Sequence, residues 1–262
     1  MKRLIILLLI SMGFLFAAEK TFIREYTYQA SDYDSKVTSR VNALEQVKTI
    51  LLEEVSVFIQ SEFEMRDWEE QIGGKIESGE FAEQRIIAIT AGVTETKILD
   101  ERWNGVEYWI KAEITLDPDD LKRKIDDIVK NKEKLKELED VKKKADDALA
   151  EIERLKKELS ESKSEAEQLR LTKAYNKETD ALSATDWFQK AINSYYNKEY
   201  DKAISFYLRA IELKPDYANA YYNLGLAYHK SDFDTALSYY KKAARLGHQG
   251  IQDWLKENGH DW

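Results

Sequence analysis

The sequence has no cysteine, two prolines and three histidines among its 262 residues. Without cysteine, the chain can form no disulfide and can carry no lipid on a cysteine side chain. The scarcity of proline and glycine, together with 34% charged residues, favours long solvated helices over a sheet-rich enzyme. The formal net charge of −9 argues against a nucleic-acid-binding protein, because phosphate recognition requires a clustered basic surface.

The residues that usually carry catalysis are also scarce. The histidines, His229, His248 and His260, all lie in the C-terminal part, and no carboxylates cluster at metal-ligand spacing. Serines in the N-terminal part therefore have no histidine partner nearby in the sequence. The Gly73-Gly74 pair lacks the rest of any phosphate-binding loop. We expect no enzyme activity, no cofactor and no metal site.

The N-terminus has the pattern of an export signal. The basic pair Lys2-Arg3 precedes the apolar run Leu4–Phe16, and Ala17-Ala18 follows. The run is short for a bilayer span, so we predict a signal peptide over residues 1–18 and a mature chain without an integral membrane span. An uncleaved anchor is the alternative. An acidic, cysteine-free exported protein suits the periplasm of a Gram-negative bacterium, because an oxidising compartment permits disulfides without requiring them.

Residues 19–117 have the patterns of a small α+β domain. Thr21–Gln29 alternates like a strand, and Asp34–Glu62 has the apolar spacing of a long helix. Val93–Trp103 and Val106–Leu116 flank Asn104-Gly105, a two-residue connection suited to a type I′ turn. We predict one long helix packed on a sheet of about three strands.

Two further details of this domain can be predicted. One strand face carries the following apolar residues, which we expect to lie against the helices: Val106, Tyr108, Ile110, Ala112, Ile114 and Leu116. The segment Met65–Phe81 is irregular and contains Gly73-Gly74 and Gly79, which indicate loops.

Residues 118–173 are predicted to form a long helix or coiled coil. Asp119-Asp120 can cap a helix that begins at Leu121, and neither proline nor glycine occurs before about Leu171. Heptad spacing is found at Ala145, Ala148, Ile152, Leu155, Leu159, Ala166 and Leu169. The phase slips around Leu135, Leu138 and Val141, which predicts a stutter. About fifty residues would give a rod on the order of 75 Å, either self-associating or a lone spacer.

Residues 174–262 contain an internal repeat with an offset of 33 residues. The first unit has Phe188, Tyr195, Tyr200, Ala203, Tyr207, Ala210 and Pro215; the second has Tyr221, Tyr228, Phe233, Ala236, Tyr240 and Ala243. This period, with large residues set against small ones, predicts two antiparallel helices per unit. The segment Tyr221–Tyr228, with Leu224-Gly225, resembles the first helix of a tetratricopeptide repeat. We predict two such repeats over residues 186–247 and a closing helix over Ile251–Asn258.

The resemblance implies that a protein or peptide partner binds to the first helix of each repeat. The binding residues that the resemblance implies are Gln189, Asn193, Tyr196, Asn197, Asn219, Tyr222, Asn223, Leu226, His229 and Lys230. Some relatives hold a peptide's terminal carboxylate with lysine and asparagine side chains. Asn193 and Asn223 match two of those positions, but Gln189 replaces the lysine and a third repeat is missing. We therefore do not expect that binding mode.

The N-terminal domain has a resemblance of its own. The stretch from Ala91 to Glu113, with Trp103-Asn104-Gly105 and Tyr108-Trp109 at its centre, is similar to a domain of bacterial envelope proteins and flagellum-associated outer-membrane proteins. The expected fold is mostly α, and the expected function is an exported periplasmic scaffold or adaptor. One alternative is a structural component of a flagellar or outer-membrane complex. Another is a head that binds a small ligand or glycan through Trp103 and Trp109.

Overall fold

The computed structural model describes residues 19–62 and 80–262. The predicted signal peptide and the glycines of the Met65–Phe81 segment lie outside the described residues. Within them, the chain forms nine α-helices and a three-stranded sheet, which confirms the mostly α fold class. None of the helices in these two ranges is long and apolar enough to cross a membrane.

The N-terminal domain, called the head below, has one sheet covered by two helices. Strands β1 (Lys20–Gln29), β2 (Lys97–Trp103) and β3 (Glu107–Leu116) are antiparallel in the order β1-β3-β2. Helix α1 (Lys36–Glu62) packs on β1 and β3, and α2 (Glu80–Val93) packs beside it. The predicted stripe of α1 forms the core, with Val47, Leu51, Val55 and Ile59 at most 1% exposed. The prediction of one long helix on three strands is therefore confirmed.

Two details of the predicted hairpin are wrong. The Asn104 amide donates to the Glu107 carbonyl (3.2 Å), so the turn centres on Gly105-Val106, one residue later than predicted. The Asn104 side-chain oxygen accepts from the Val106 and Glu107 amides, and Gly105 adopts φ +103°. Val106 is consequently 60% exposed, while the remaining predicted face, Tyr108 to Leu116, is buried. Val93 belongs to α2 because its apolar side chain continues that helix's buried stripe.

The predicted fifty-residue rod is also wrong, because three helices replace it. Helix α3 (Pro118–Lys130) is capped by Asp117, not by Asp119-Asp120. It ends at Asn131, whose side chain caps α4 (Lys132–Glu161) by accepting from the Lys134 amide. The chain then turns at residues 162–164, where Ser162 is extended, and returns as α5 (Glu165–Tyr196). The apparent stutter is thus a break between two helices with separate apolar stripes.

The heptad seam packs inside this chain. Because only three residues connect α4 to α5, the two helices form an antiparallel hairpin. The α4 seam residues Ala148, Ile152, Leu155 and Leu159 share a core with Leu171, Tyr175 and Leu182 of α5. The α4 part of the predicted seam is therefore covered by α5, whereas its last two residues, Ala166 and Leu169, are exposed on α5.

The C-terminal helices form the predicted repeats. The end of α5 pairs with α6 (Tyr200–Leu213), α7 (Ala218–Tyr228) pairs with α8 (Phe233–Arg245), and α9 (Gln249–Glu257) closes the array. The four repeat alanines have no exposed surface: Ala203, Ala210, Ala236 and Ala243. Helix α5 is continuous from the α4–α5 hairpin into the first repeat. The hairpin and the first repeat therefore share this helix.

Partly buried polar contacts join the head to α5. Lys48 of α1 pairs with Asp186 (2.6 Å) and with Glu45 (2.9 Å). Burial opposes ionisation of Asp186, but the charge of Lys48, and then that of Lys190, lowers its pKa to about 2. Burial raises the pKa of Glu45, and the charge of Lys48 offsets only part of that rise.

Candidate protein-binding surface

The predicted binding residues do not form one continuous groove. Gln189, Asn193 and Asn197 line a cavity of about 710 Å³ between the head and the helices, called the polar cavity below. Tyr196 and Asn223 contact α4 of the same chain. Tyr222, Leu226, His229 and Lys230 line a second cavity of about 550 Å³, called the aromatic cavity below. Asn219 is half-buried at the start of α7.

Helix α4 occupies part of the expected groove. The Asn223 side-chain amide donates to Glu137 Oε1 (3.1 Å), and the Tyr196 hydroxyl donates to Glu137 Oε2 (3.3 Å). Asn223 is consequently only 2% exposed. Burial raises the pKa of Glu137, although both hydrogen bonds favour its charged form. The part of the expected groove formed by Tyr196 and Asn223 therefore already binds a carboxylate, that of Glu137 in the same chain.

The apolar side of α4 holds the helix in that position. Leu135, Leu138 and Val141 belong to the same buried cluster as Phe188 and Leu224 of the repeats. Leu138 is fully buried and lies against Gly92 of α2, where a Cβ would meet its Cδ1 at 2.5 Å. Because α4 is packed against both the head and the repeats, it is a structural connector and not a loosely held segment.

The aromatic cavity lies between helices α5 to α8 and the closing helix α9. Its walls include Tyr195, Tyr200, Tyr222, Tyr240, His248 and Trp254, with Asp201 and Lys230 contributing charges. The Tyr222 and Tyr240 ring centroids are 6.0 Å apart, and those of Tyr240 and Trp254 are 5.7 Å apart. Concave, largely aromatic surfaces with a few polar groups are typical of binding sites.

Hydrogen bonds and stacking hold the rings of this cavity in place. The Tyr240 hydroxyl and His229 Nδ1 share a hydrogen bond of 3.1 Å. The His248 ring stacks on Tyr222 (4.3 Å between centroids), and its Nδ1 accepts from the Ile251 amide at the start of α9. Burial, with a smaller effect from Lys144, lowers the pKa of His248. The lowered pKa favours the neutral imidazole, whose Nδ1 can accept the Ile251 amide and so cap the helix.

Sequence reasoning missed the residues that α6, α8 and α9 contribute to this cavity. His248 follows Pro215 by the repeat offset of 33, so its position at the repeat exit was available from the sequence. Its stacking on Tyr222 was not, because that contact depends on how α9 folds back. The same is true of Trp254, which lies within the predicted closing helix but whose place in the cavity also depends on how α9 folds back.

The two tryptophans of the head do not form a common patch. Trp103 pairs with Tyr108 across the hairpin, and their rings pack at 6.0 Å on the core side. Trp109 is the next residue on β3 and therefore points to the opposite face, where Arg102 lies over its ring at 4.9 Å. A single glycan platform built from both side chains is therefore wrong.

Comparison with known protein families identifies the repeats. Residues 194–232 match a family described as TPR repeat, and residues 220–250 match one described as Tetratricopeptide repeat. No curated protein matches the chain. The C-terminal part therefore carries tetratricopeptide repeats, a class of helical repeat that typically serves in protein–protein interaction or scaffolding. Within residues 19–62 and 80–262, no group of three or more His, Asp or Glu side chains could hold a metal ion.

Proposed function

We propose that this protein is a non-enzymatic scaffold or adaptor that binds a partner protein in the aromatic cavity. The observation that carries the proposal is the open cavity of about 550 Å³ beside the inner helices of the two matched repeats. Four of the predicted binding residues line it, whereas Glu137 already occupies Tyr196 and Asn223. A partner would thus bind at the α9 end of the repeats and not along all of the predicted binding residues.

The rigid connection between head and repeats supports a scaffolding role. Helix α4 contacts both α2 and α5, and α5 continues without a break into the first repeat. The distance between whatever the head binds and the aromatic cavity is thereby set by the α4–α5 hairpin. In this proposal the hairpin acts as the spacer that we expected from the long helix.

We further propose that the protein is exported to the periplasm, on the evidence of the predicted signal peptide over residues 1–18. A second candidate function is a structural component of a flagellar or outer-membrane complex, assembled through the head. The edge position of β2 favours it, because an unpaired strand edge can receive a strand from another protein. Recovery of the chain in a purified envelope assembly, dependent on residues of β2, would favour this second function.

The test places a photo-crosslinking amino acid at Leu226, which lines the aromatic cavity, in the full chain expressed in its native host. We expect a discrete protein adduct that is lost when Tyr222 is also replaced by alanine. The matched control position is Leu208, which is 42% exposed on the outer helix α6. Equal labelling at both positions, or labelling at Leu226 that survives Tyr222→Ala, would contradict binding in this cavity.

A further inference from the structure

The closing helix α9 is capped by a histidine instead of the usual Ser, Thr, Asp or Asn. His248 precedes the helix in an extended conformation, and its Nδ1 accepts from the Ile251 amide at 3.2 Å. A ring nitrogen can accept only while it carries no proton, so this cap exists only in the neutral imidazole. The usual cap residues gain no charge between about pH 5 and pH 8, whereas histidine does.

Helix α9 forms one wall of the aromatic cavity. Ile251 and Trp254 line the cavity together with His248, whose ring stacks on Tyr222 of α7 at 4.3 Å between centroids. On the inner side of α9, Ile251 and Leu255 are at most 4% exposed and pack on α8. The helix is thus held by its cap at one end and by a small apolar core along its length. Loss of the cap loosens the end that faces the cavity.

The described residues around the ring do not compensate for an added positive charge. The first turn of α9 contains no acidic residue, and a helix N-terminus itself carries a partial positive charge. Burial and, more weakly, the charge of Lys144 on α4 lower the pKa of His248, and no carboxylate opposes them. Apart from tyrosines, which keep their protons in mild acid, the other charged or titratable groups of the cavity lining are His229 and the oppositely charged Asp201 and Lys230.

The pH at which the cap is lost follows from the direction of the pKa shift. In the folded chain the pKa of His248 lies below its ordinary value of 6.5. The cap therefore contributes its full stability above about pH 6.5 and loses it as the pH falls through the folded pKa.

We propose that protonation of His248 in mild acid removes the cap of α9 and loosens the wall that α9 gives to the aromatic cavity, so that a partner bound there is released. Loss of the cap is a property of the chain alone, whereas release of a partner rests on the proposed function. The cavity thereby responds to the pH of its surroundings.

The first experiment measures amide hydrogen exchange of the free full chain at about pH 7.5 and about pH 5, corrected for the intrinsic pH dependence of exchange. In the wild type, protection of Gln249–Glu257 should fall at least about fivefold in acid, as expected for loss of an N-cap. His248→Asn keeps a cap that gains no charge, so its α9 should be equally protected at both pH values. His260→Asn is the matched control, because His260 stacks on Trp254 of α9 but does not cap the helix, and it should behave like wild type.

The same loss of protection in His248→Asn as in wild type would overturn the proposal, since another group would then sense the pH. A second measurement needs no variant: NMR of the wild-type chain follows the His248 ring and the Ile251 amide proton through a pH titration. Both must shift with one midpoint, below the ordinary pKa of about 6.5. An Ile251 amide that does not follow the ring would also overturn the proposal.

Release of the partner is measured by photo-crosslinking at Leu226 in permeabilised cells at the same two pH values. We expect less adduct in acid for the wild type and an unchanged yield for His248→Asn. An equal decrease in both would overturn release through His248 but leave binding in the cavity intact. Absence of any adduct at either pH would contradict the proposed function alone, and the exchange measurement would still decide whether the cap responds to pH.

Discussion

Replacing Gly225 with alanine should destabilise the second repeat, although alanine is the better helix former. A Cβ at this position would lie 2.5 and 2.6 Å from two carbons of the Tyr240 ring and 3.2 Å from the Ala236 carbonyl oxygen. Carbon atoms in good contact are about 3.5–4.0 Å apart, so the ring must move by about 1 Å. Tyr240 is 2% exposed and shares a hydrogen bond with His229, which leaves its ring little room.

The expected magnitude follows from two opposing effects. Alanine in a helix interior is favoured over glycine by about 1 kcal/mol. Forcing an extra carbon into a packed core costs about 1–3 kcal/mol. Since backbone as well as ring opposes the new methyl at Gly225, we expect a net loss of about 1–2 kcal/mol in the free energy of unfolding.

Urea denaturation of the full chain, followed by near-ultraviolet circular dichroism of the aromatic side chains, measures this loss. Gly250→Ala is the matched control. It also lies in a helix, but its Cβ would meet only the His248 ring, at 3.7 Å, which is ordinary contact. We expect the control to be neutral or stabilised by up to about 1 kcal/mol. If Gly225→Ala proves as stable as Gly250→Ala, the close approach of α7 to α8 does not constrain the repeat.

Two predictions concern the partly buried ion pairs of Lys48 in the head. Lys48→Met leaves Asp186 and Glu45 without their principal cation and should lower the free energy of unfolding by about 3 kcal/mol, measured by urea denaturation at pH 7. The double variant Lys48→Met/Asp186→Asn should recover part of that loss, and no recovery would mean that the two side chains are not coupled. Because the pKa of Asp186 is lowered to about 2 in the folded state, its contribution is present above its unfolded pKa of about 3.9 and is lost as the pH falls towards 2. The difference in urea midpoint between wild type and Asp186→Asn should therefore shrink between about pH 4 and pH 2, and a constant difference would refute the assignment.

The repeats could be predicted from the sequence because their pattern is local. Each helix pair lies within one unit of 33 residues, and alanines such as Ala203 and Ala236 mark where helix backbones approach. The head hairpin was predictable for the same reason, apart from a one-residue shift caused by the Asn104 side chain. In both cases the residues that form the structure are close in the sequence.

The central region could not be predicted because its pattern is ambiguous. A heptad seam fits a second copy of the chain and a returning segment of the same chain equally well. The turn at residues 162–164 contains neither glycine nor proline, and the signal of a new helix there is limited to Ser164, followed three residues later by Glu167. The phase change near Leu135 was real, but its cause was the cap at Asn131. The binding surface was only partly predicted for the same reason, since the residue that fills it, Glu137, comes from this region.

The ion pair between Lys48 and Asp186 has a consequence for the order in which the chain folds. The two residues are 138 positions apart, and at about 5–20 residues per second the ribosome adds Asp186 roughly 7–28 s after Lys48. The hydrogen bond from Tyr175 to Asp34 spans a similar distance, 141 positions. Until α5 has been synthesised, Glu45 and Lys48 of α1 lie on a face of that helix that no other element covers. The N-terminal half therefore reaches its final stability only when the first repeat arrives.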